Sequence, residues 1–298
     1  MTKLLELILG GLSTGVIYAL IAFGAVLVYR STQVINFAHG AIVLAGGCAI
    51  AKLSAGLGFA LGALLGVLLV GALAVVAEWL ILRPLRLRAA GHEAVATVTI
   101  GLNIVLMTEL TVLIGSDLLH IPDPWQNGVV TLGPVTFPQA RVAALIVCIL
   151  IIAAFLALFR WSDWGVAMRA SADDAEAAAL TGVNQARVAA IAWGVAGALA
   201  AVAAVFLTSS PAPGVDISVA NVALAAFPAI VIGGLDSIGG ALLGGVTIGL
   251  FQSLANGYEG SLGFLGTDVG TVAPWVVMVG VLLVRPTGLF GSRSMVRV

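Results

Sequence analysis

The chain has 298 residues, 61% of them hydrophobic and only 9% charged, with 13 basic and 14 acidic side chains and a formal charge of −1. A soluble domain carries roughly a quarter charged residues, so this composition excludes one and leaves an integral membrane protein. Several apolar stretches exceed the ~20 residues with which a helix crosses about 30 Å of hydrocarbon, and the period-two alternation of ~10-residue strands that a membrane barrel requires is missing. The expected fold class is all-α, a polytopic transmembrane helical bundle forming one domain over residues 1–298. The predicted spans are Leu4 to Tyr29, Val34 to Ala51, Leu57 to Leu82, Ala94 to Gly115, Val142 to Phe159, Val188 to Leu207, Asn221 to Gly234, Ile238 to Leu254 and Thr271 to Val284. The first reads as a retained span, since no small-residue cleavage site and polar mature sequence follow it. Cys48 and Cys148 fall inside apolar runs and imply no disulfide framework.

Orientation follows the arginines, because short loops rich in Lys and Arg stay in the cytoplasm. Arg83, Arg86 and Arg88 follow the third span, Arg160, Arg169 and Arg187 lie in or beside the charged stretch 160–187, and Arg285, Arg293 and Arg297 follow the last. Nine spans put all three segments on one side. The intervening segments Gly115 to Ala140, Thr208 to Ala220 and Ala255 to Gly270 contain no Lys or Arg, and Arg141 stands alone at the other face, placed to snorkel. The expected N-terminus is therefore external and 160–187 cytoplasmic. Asn221 to Gly234 is short for a span, and the glycine-rich Gly233 to Gly240 reads either as a cytoplasmic turn or as a break within the membrane, so counts from eight to ten fit. Glycines recur at small-xxx-small spacing, as in Gly11 with Gly15, Gly58 with Gly62 and Gly66, Gly240 with Gly244 and Gly245 with Gly249, the pattern of close helix packing in lipid.

The most charged internal stretch, 160–187, has its own helical signals. Ser171 followed by Asp174 fits a capping arrangement, Asp173, Asp174 and Glu176 put negative charge at a helix start, alanines favour the helix and Gly182 stops it. The prediction is one helix from about Ala172 to Thr181, with Asn184 capping the next span. A face of Ala172, Ala175 and Ala179 is small enough for close docking to another protein, and the acids argue against lipid as its main contact.

Ionisable and amide side chains inside spans are the candidates for a translocation path. They are Asn36 and His39 at the start of the second span and Asn103 and Glu109 in the fourth, the last two expected on roughly one helical side. A helix cap and a helix-contact histidine explain Asn36 and His39 equally well, and Glu78 is expected either to reach the cytoplasmic interface or to pair with an arginine of 83–88. Pro122, Pro124 and Trp125 mark an external loop that reads as a protein-docking surface or an interfacial anchor.

Along nearly its whole length the chain is similar to the permeases of branched-chain amino-acid ABC importers, the LivH-type family. The resemblance is carried by Val34 to Gly40, Arg83-Pro84-Leu85, Thr99-Ile100-Gly101-Leu102, Gly165 to Gly182, Gly233 to Gly240 and Arg285 to Gly291, in that order. In such permeases a cytoplasmic Glu-Ala-Ala…Gly pattern fits a groove on the ATPase, and Glu176-Ala177-Ala178 with Gly182 resembles it. With Ser171, Asp173 and Asp174, these form the expected ATPase-coupling set. The resemblance implies a second, homologous permease subunit, two cytoplasmic ATPase subunits and an external substrate-binding protein as partners, with no nucleic acid, and a location in the bacterial cytoplasmic membrane. The residues agree that ATP chemistry lies elsewhere, since Lys3 and Lys52, the only lysines, do not follow a glycine as a P-loop requires. No cofactor, metal or enzymatic activity is expected. Permeases for urea or short amides look similar, and a stand-alone transporter or channel and a membrane anchor or assembly subunit without a path are the other competing readings. Breaks at Asn36 to Gly40 and Gly233 to Gly240, each upstream of an Arg-Pro pair, raise the idea of an internal repeat.

Overall fold

In the computed structural model, which describes residues 2–88, 91–115, 118–122, 124–125, 128–132, 135–209, 214–261 and 268–291, the longest helix is α1, Thr2–Thr32. It is apolar on every side, and a helix of that kind finds its place in the middle of a bundle. From Gly10 to Val28 it is buried almost throughout. After it come α2 (His39–Leu57) and α3 (Phe59–Ala77), joined at Gly58, whose φ of 76° makes the reversal. A π-helical turn, Glu78–Leu82, leads into α4, Arg83–Leu87. Pro84 removes a backbone donor and its ring crowds the carbonyl four residues back, which the widened turn just before it absorbs.

The chain continues through α5 (His92–Ile114), a two-stranded antiparallel hairpin of β1 (Val129–Leu132) and β2 (Val135–Pro138), and α6 (Gln139–Trp161). Two short helices, α7 (Asp163–Asp173) and α8 (Ala175–Leu180), precede α9 (Gln185–Leu207). Then come α10 (Ser218–Leu224), α11 (Ala226–Gly233), α12 (Ile238–Gly257) and α13 (Val269–Val284). Every predicted span has its helix. Seven helical segments are long and apolar enough to cross a membrane, while Ser218–Gly233 and Val269–Val284 are shorter. The hairpin is the departure from an all-α expectation, and it lies wholly within one loop.

Packing explains most of the glycines. Helix α1 crosses α12 so closely that a Cβ added at Gly15 would lie 2.8 Å from the Val246 Cα, and one at Gly11 2.9 Å from the Leu250 Cα. In lipid, contact of this kind replaces the hydrophobic effect as the force between helices. Helices α9, α6 and α11 complete the shell around α1, and α2 packs between α3 and α9.

At one end of the bundle the last turn of α1 (Tyr29, Arg30), the last residues of α7 (Ala172, Asp173), Asp236 and the segment after α13 (Pro286, Thr287) line one cavity of about 380 Å³. The segment after α13 is pinned there by its backbone: Leu289 N–H donates to the Ile232 carbonyl (2.7 Å) and Phe290 N–H to that of Gly233 (3.2 Å). Gly233 to Gly240 is thus a tight turn between α11 and α12, whereas Asn36 to Ala38 is a non-helical stretch inside the bundle, so the two breaks that raised the idea of a repeat are built differently. Arg293 and Arg297 lie outside the described residues. At the opposite end Leu119 and Val215 form a bridge between two loops, and Trp125 stacks on Phe206 (5.6 Å) with Phe59 edge-on (5.2 Å). Trp125 therefore pins its loop to α3 and α9.

Candidate translocation path and coupling loop

The second predicted span starts five residues later than expected. Gln33 takes a φ of 56° at the end of α1, and residues 33–38 run back along that helix without helical structure. Asn36 is responsible for the local shape: its Oδ1 accepts the Ala38 N–H (3.0 Å), a turn made by the side chain in competition with the helix. The N-cap residue itself is Ala38 and has no side-chain cap, so Asn36 does not act as the helix cap. His39 Nε2 then meets the carbonyl of Ile21 at 3.1 Å. Ile21 is eleven residues from the end of α1, about 16 Å along its axis. A Cβ added at Gly24 would lie 3.4 Å from the His39 ring and 3.3 Å from Ala196, the middle residue of α9.

Non-helical backbone at that depth persists only where protein satisfies its polar groups. The Thr99 hydroxyl on α5 does so, accepting the Phe37 N–H (3.2 Å) and sharing its proton between the carbonyls of Ala96 (2.7 Å) and Ile35 (3.3 Å). Asn36 and His39 are both buried and both line a narrow apolar pocket of about 40 Å³, opposite Ala223 and Phe227. Asn36 Nδ2 and His39 Nδ1 have no hydrogen-bond partner among the described residues.

This pocket is the middle member of a series. Toward the end remote from Arg30, a cavity of about 560 Å³ is lined by Gly10, Thr14, Ile17 and Tyr18 of α1 and by Val219 and Val222 of α10. The narrow pocket continues along the same α1 face with Ile21, Ala25 and Tyr29, and along α10 and α11 with Ala223 and Phe227. The basic-end cavity takes over at Tyr29, Arg30 and Gln33, with Val231 of α11. Spacings of three and four residues keep these side chains on one helical face. Between α10 and α11 the helix is interrupted at Ala225, because Pro228 has no N–H for the carbonyl of Leu224. Two interrupted elements thus face each other at the narrow point, with the rings of Phe37 and Phe227 stacked 6.3 Å apart.

The other path candidates are placed differently. Asn103 is half-buried on α5 and Glu109 is exposed, and they are not brought together. Six residues at 100° each leave them 120° apart around the helix, too far for a single stripe. Glu78 is fully buried and pairs with Arg86, the second of the two placements expected of it.

The charged stretch is divided differently from the prediction. Ser162 caps α7, accepting the Gly165 N–H, and Asp174 caps α8, accepting the N–H groups of Glu176 and Ala177. The single helix Ala172 to Thr181 is therefore two helices. Asp174 sits at φ −154° with its carboxylate on two orphan donors, an arrangement a helix interior cannot offer. Ser171 does not cap: it is buried inside α7 and donates to the Ala167 carbonyl (2.7 Å). Gly182, at φ 93°, closes α8 as expected, with its N–H on the Ala179 carbonyl and that of Val183 on Ala178 (3.0 Å each). Asn184 caps α9 through the Arg187 N–H.

The pair is tied to the bundle at both ends. Arg169 donates to the Phe159 carbonyl (2.6 Å) and lies over that ring, Trp164 packs edge-on to Phe155 and Phe159, and Gln185 donates to the Ala175 carbonyl (3.1 Å). Asp173 lines the basic-end cavity, and Ala178 is buried. Asp174, Ala175, Glu176, Ala177, Ala179, Leu180 and Gly182 are exposed, Leu180 at 90%.

Residues 7–284 match the family described as the branched-chain amino acid transport system / permease component. The chain belongs to this family. It is a polytopic helical transport permease of the cytoplasmic membrane, and not an enzyme. The chain is 32% identical to "High-affinity branched-chain amino acid transport system permease protein LivH" of Escherichia coli (strain K12), over 99% of this chain and 97% of that protein. The corresponding figures are 28%, 99% and 98% for the permease protein BraD of Pseudomonas aeruginosa, and 30%, 91% and 88% for a probable LivH of Methanocaldococcus jannaschii. No solved structure matches the chain.

Three residues of this permease that matter at these sites were not read as site residues in the sequence. Thr99 supports the interrupted backbone; it lies in a segment that carries the family resemblance, but its role depends on a contact 62 residues away. Leu180 is the apolar tip of α8, and the charged composition of the stretch hides it. Arg141 lines the far cavity, although its sequence position read as a span edge.

Proposed function

We propose that this chain is the membrane-spanning subunit of an ATP-driven importer of branched-chain amino acids, with its basic end in the cytoplasm and α8 as the element on which an ATPase subunit acts. The complex would hold a second, homologous permease, two ATPase subunits and an external protein that delivers the solute. One observation carries the coupling reading: a permease of this family presents at its basic end a helix closed by side-chain and glycine caps, braced by Arg169, Trp164 and Gln185, whose outer face of Glu176, Ala177 and Leu180 is exposed. A brace of that kind transmits displacement, because α7 touches the base of α1 and packs on α9, and Gln185 at the start of α9 holds the Ala175 carbonyl of α8. Asp174 keeps α8 folded, Glu176 and Leu180 offer a charge and an apolar knob to a groove, and small alanines allow close approach. In the mechanism, closure of the ATPase pair moves α7 and α8 and through them the inner ends of α1 and α9, and the path narrowed at Phe37 and Phe227 changes the side on which it is open.

The test is uptake of labelled leucine in proteoliposomes holding the chain with its ATPase and delivery protein. Glu176→Lys and Leu180→Ser should each abolish ATP-dependent uptake and co-elution with the ATPase while the permease remains folded. Uptake at the wild-type rate in both variants would refute the coupling role.

A further inference from the structure

The far-end cavity holds a combination of groups that the packing of the bundle does not call for. Arg141 is in the first turn of α6, at the end where the neighbouring loop segments carry no Lys or Arg. Its side chain lies inward against α1: a Cβ added at Gly10 would come within 2.7 Å of Nη1, so the glycine makes the room the guanidinium occupies. The Ser13 hydroxyl donates to the Arg141 carbonyl (3.0 Å), which fixes the start of α6 on α1. Among the described residues Arg141 has no ion-pair partner. It lines the cavity of about 560 Å³, and Asp216 lines the same cavity. The Asp216 Oδ1 atom accepts both the N–H (2.8 Å) and the hydroxyl of Ser218, which leaves Oδ2 without a partner among the described residues. Leu7, Ile17, Val219 and Val222 supply apolar wall, and the hydrogen bond from Tyr18 to Gln252 (2.7 Å) closes the inner side.

We propose that this cavity is an outer recognition site for an α-amino acid zwitterion, with Arg141 taking the carboxylate, Asp216 the ammonium group and the apolar wall an aliphatic side chain. The inference rests on the reading of the chain as an amino-acid permease and gives that reading its residues. A guanidinium matches a carboxylate through two parallel N–H donors, and the two charges of a zwitterion leave neither protein charge unpaired in a partly desolvated site. Urea and short amides carry no charge to offer either group.

The test uses the full chain in liposomes with Val222→Cys as reporter, the native Cys48 and Cys148 being buried. Labelling by a membrane-impermeant maleimide is measured against L-leucine, leucinamide and 4-methylpentanoate. Leucine should slow labelling, and the amide and the deaminated acid should not. Arg141→Gln and Asp216→Asn should each raise the leucine concentration for half protection by about tenfold or more, with Arg141→Lys intermediate. Equal protection by leucinamide, or unchanged protection in Arg141→Gln, overturns the site. ATP-dependent leucine uptake by the wild-type complex separates the two readings: uptake there without protection in the reporter removes only this site, whereas absence of uptake for every amino acid removes the permease reading and this one with it.

Discussion

His39 Nε2 lies 3.1 Å from the carbonyl oxygen of Ile21, and this contact fixes the point at which a non-helical strand of backbone becomes α2. The Ile21 carbonyl keeps its place in the α1 ladder, so loss of the imidazole alone leaves it satisfied. His39→Leu, which keeps the bulk, should cost about 1 kcal/mol. His39→Ala opens a cavity beside Gly24 and Ala196 and should cost about 3 kcal/mol. Unfolding in detergent checks the order wild type, Leu, Ala. A stable leucine variant without leucine uptake would assign the ring to the path itself.

Thr99 provides a sharper case, because the group it satisfies has no substitute. With valine there the Phe37 N–H loses the acceptor that the Thr99 hydroxyl provides. Thr99→Val should therefore destabilise by about 1–3 kcal/mol despite equal volume, and Thr99→Ser should retain most of the stability. Equal unfolding midpoints for the valine and serine variants would show that the hydroxyl is dispensable.

The contrast between these two residues shows what could be read in advance. Helix positions follow from the lengths of apolar runs, a local property, and all nine predicted spans have counterparts. The closing of α8 at Gly182 and the cap at Asn184 were legible for the same reason, since capping joins residues two to four apart. The break at Asp174 was also local, but Asp174 fits equally the third position of a helix begun at Ser171. Burial of Ser171 inside α7, imposed by packing on the bundle, decides between them. The cavities were not legible at all. They depend on which face of α1 meets α10 and α12, and a helix apolar on every side carries no stripe to announce that face.

Glycines in spans look alike in sequence and differ sharply in place. Gly15→Ala puts a Cβ 2.8 Å from the Val246 Cα where α1 crosses α12, and the neighbouring atoms are backbone and cannot yield. The cost should be about 1–3 kcal/mol, visible as a lower unfolding temperature and poorer recovery from the membrane. Gly101→Ala, on α5, meets nothing within 4 Å. It should be neutral or stabilising by up to about 1 kcal/mol, as alanine is the better helix former. Equal effects at the two positions would contradict the α1–α12 crossing.

Asp174 and Glu176 are two residues apart, and the structure assigns them separable tasks. The Asp174 carboxylate accepts two backbone donors at the start of α8, while the Glu176 side chain is exposed and makes no hydrogen bond among the described residues. Asp174→Ala should fray α8 at a cost of about 1 kcal/mol, and Asp174→Asn or Asp174→Ser, which still cap, should restore it. Because α8 is short, its other end is held by the Gly182 turn and Gln185 still holds the Ala175 carbonyl, the fraying should be local and leave the unfolding of the bundle nearly unchanged. Faster hydrogen exchange at Glu176 and Ala177 in Asp174→Ala, reversed in Asp174→Ser, is the measurement. Glu176→Lys should leave that exchange at the wild-type rate and alter only uptake. If exchange rises equally in both variants, the acids act together in holding the helix, and Glu176 is not reserved for a partner.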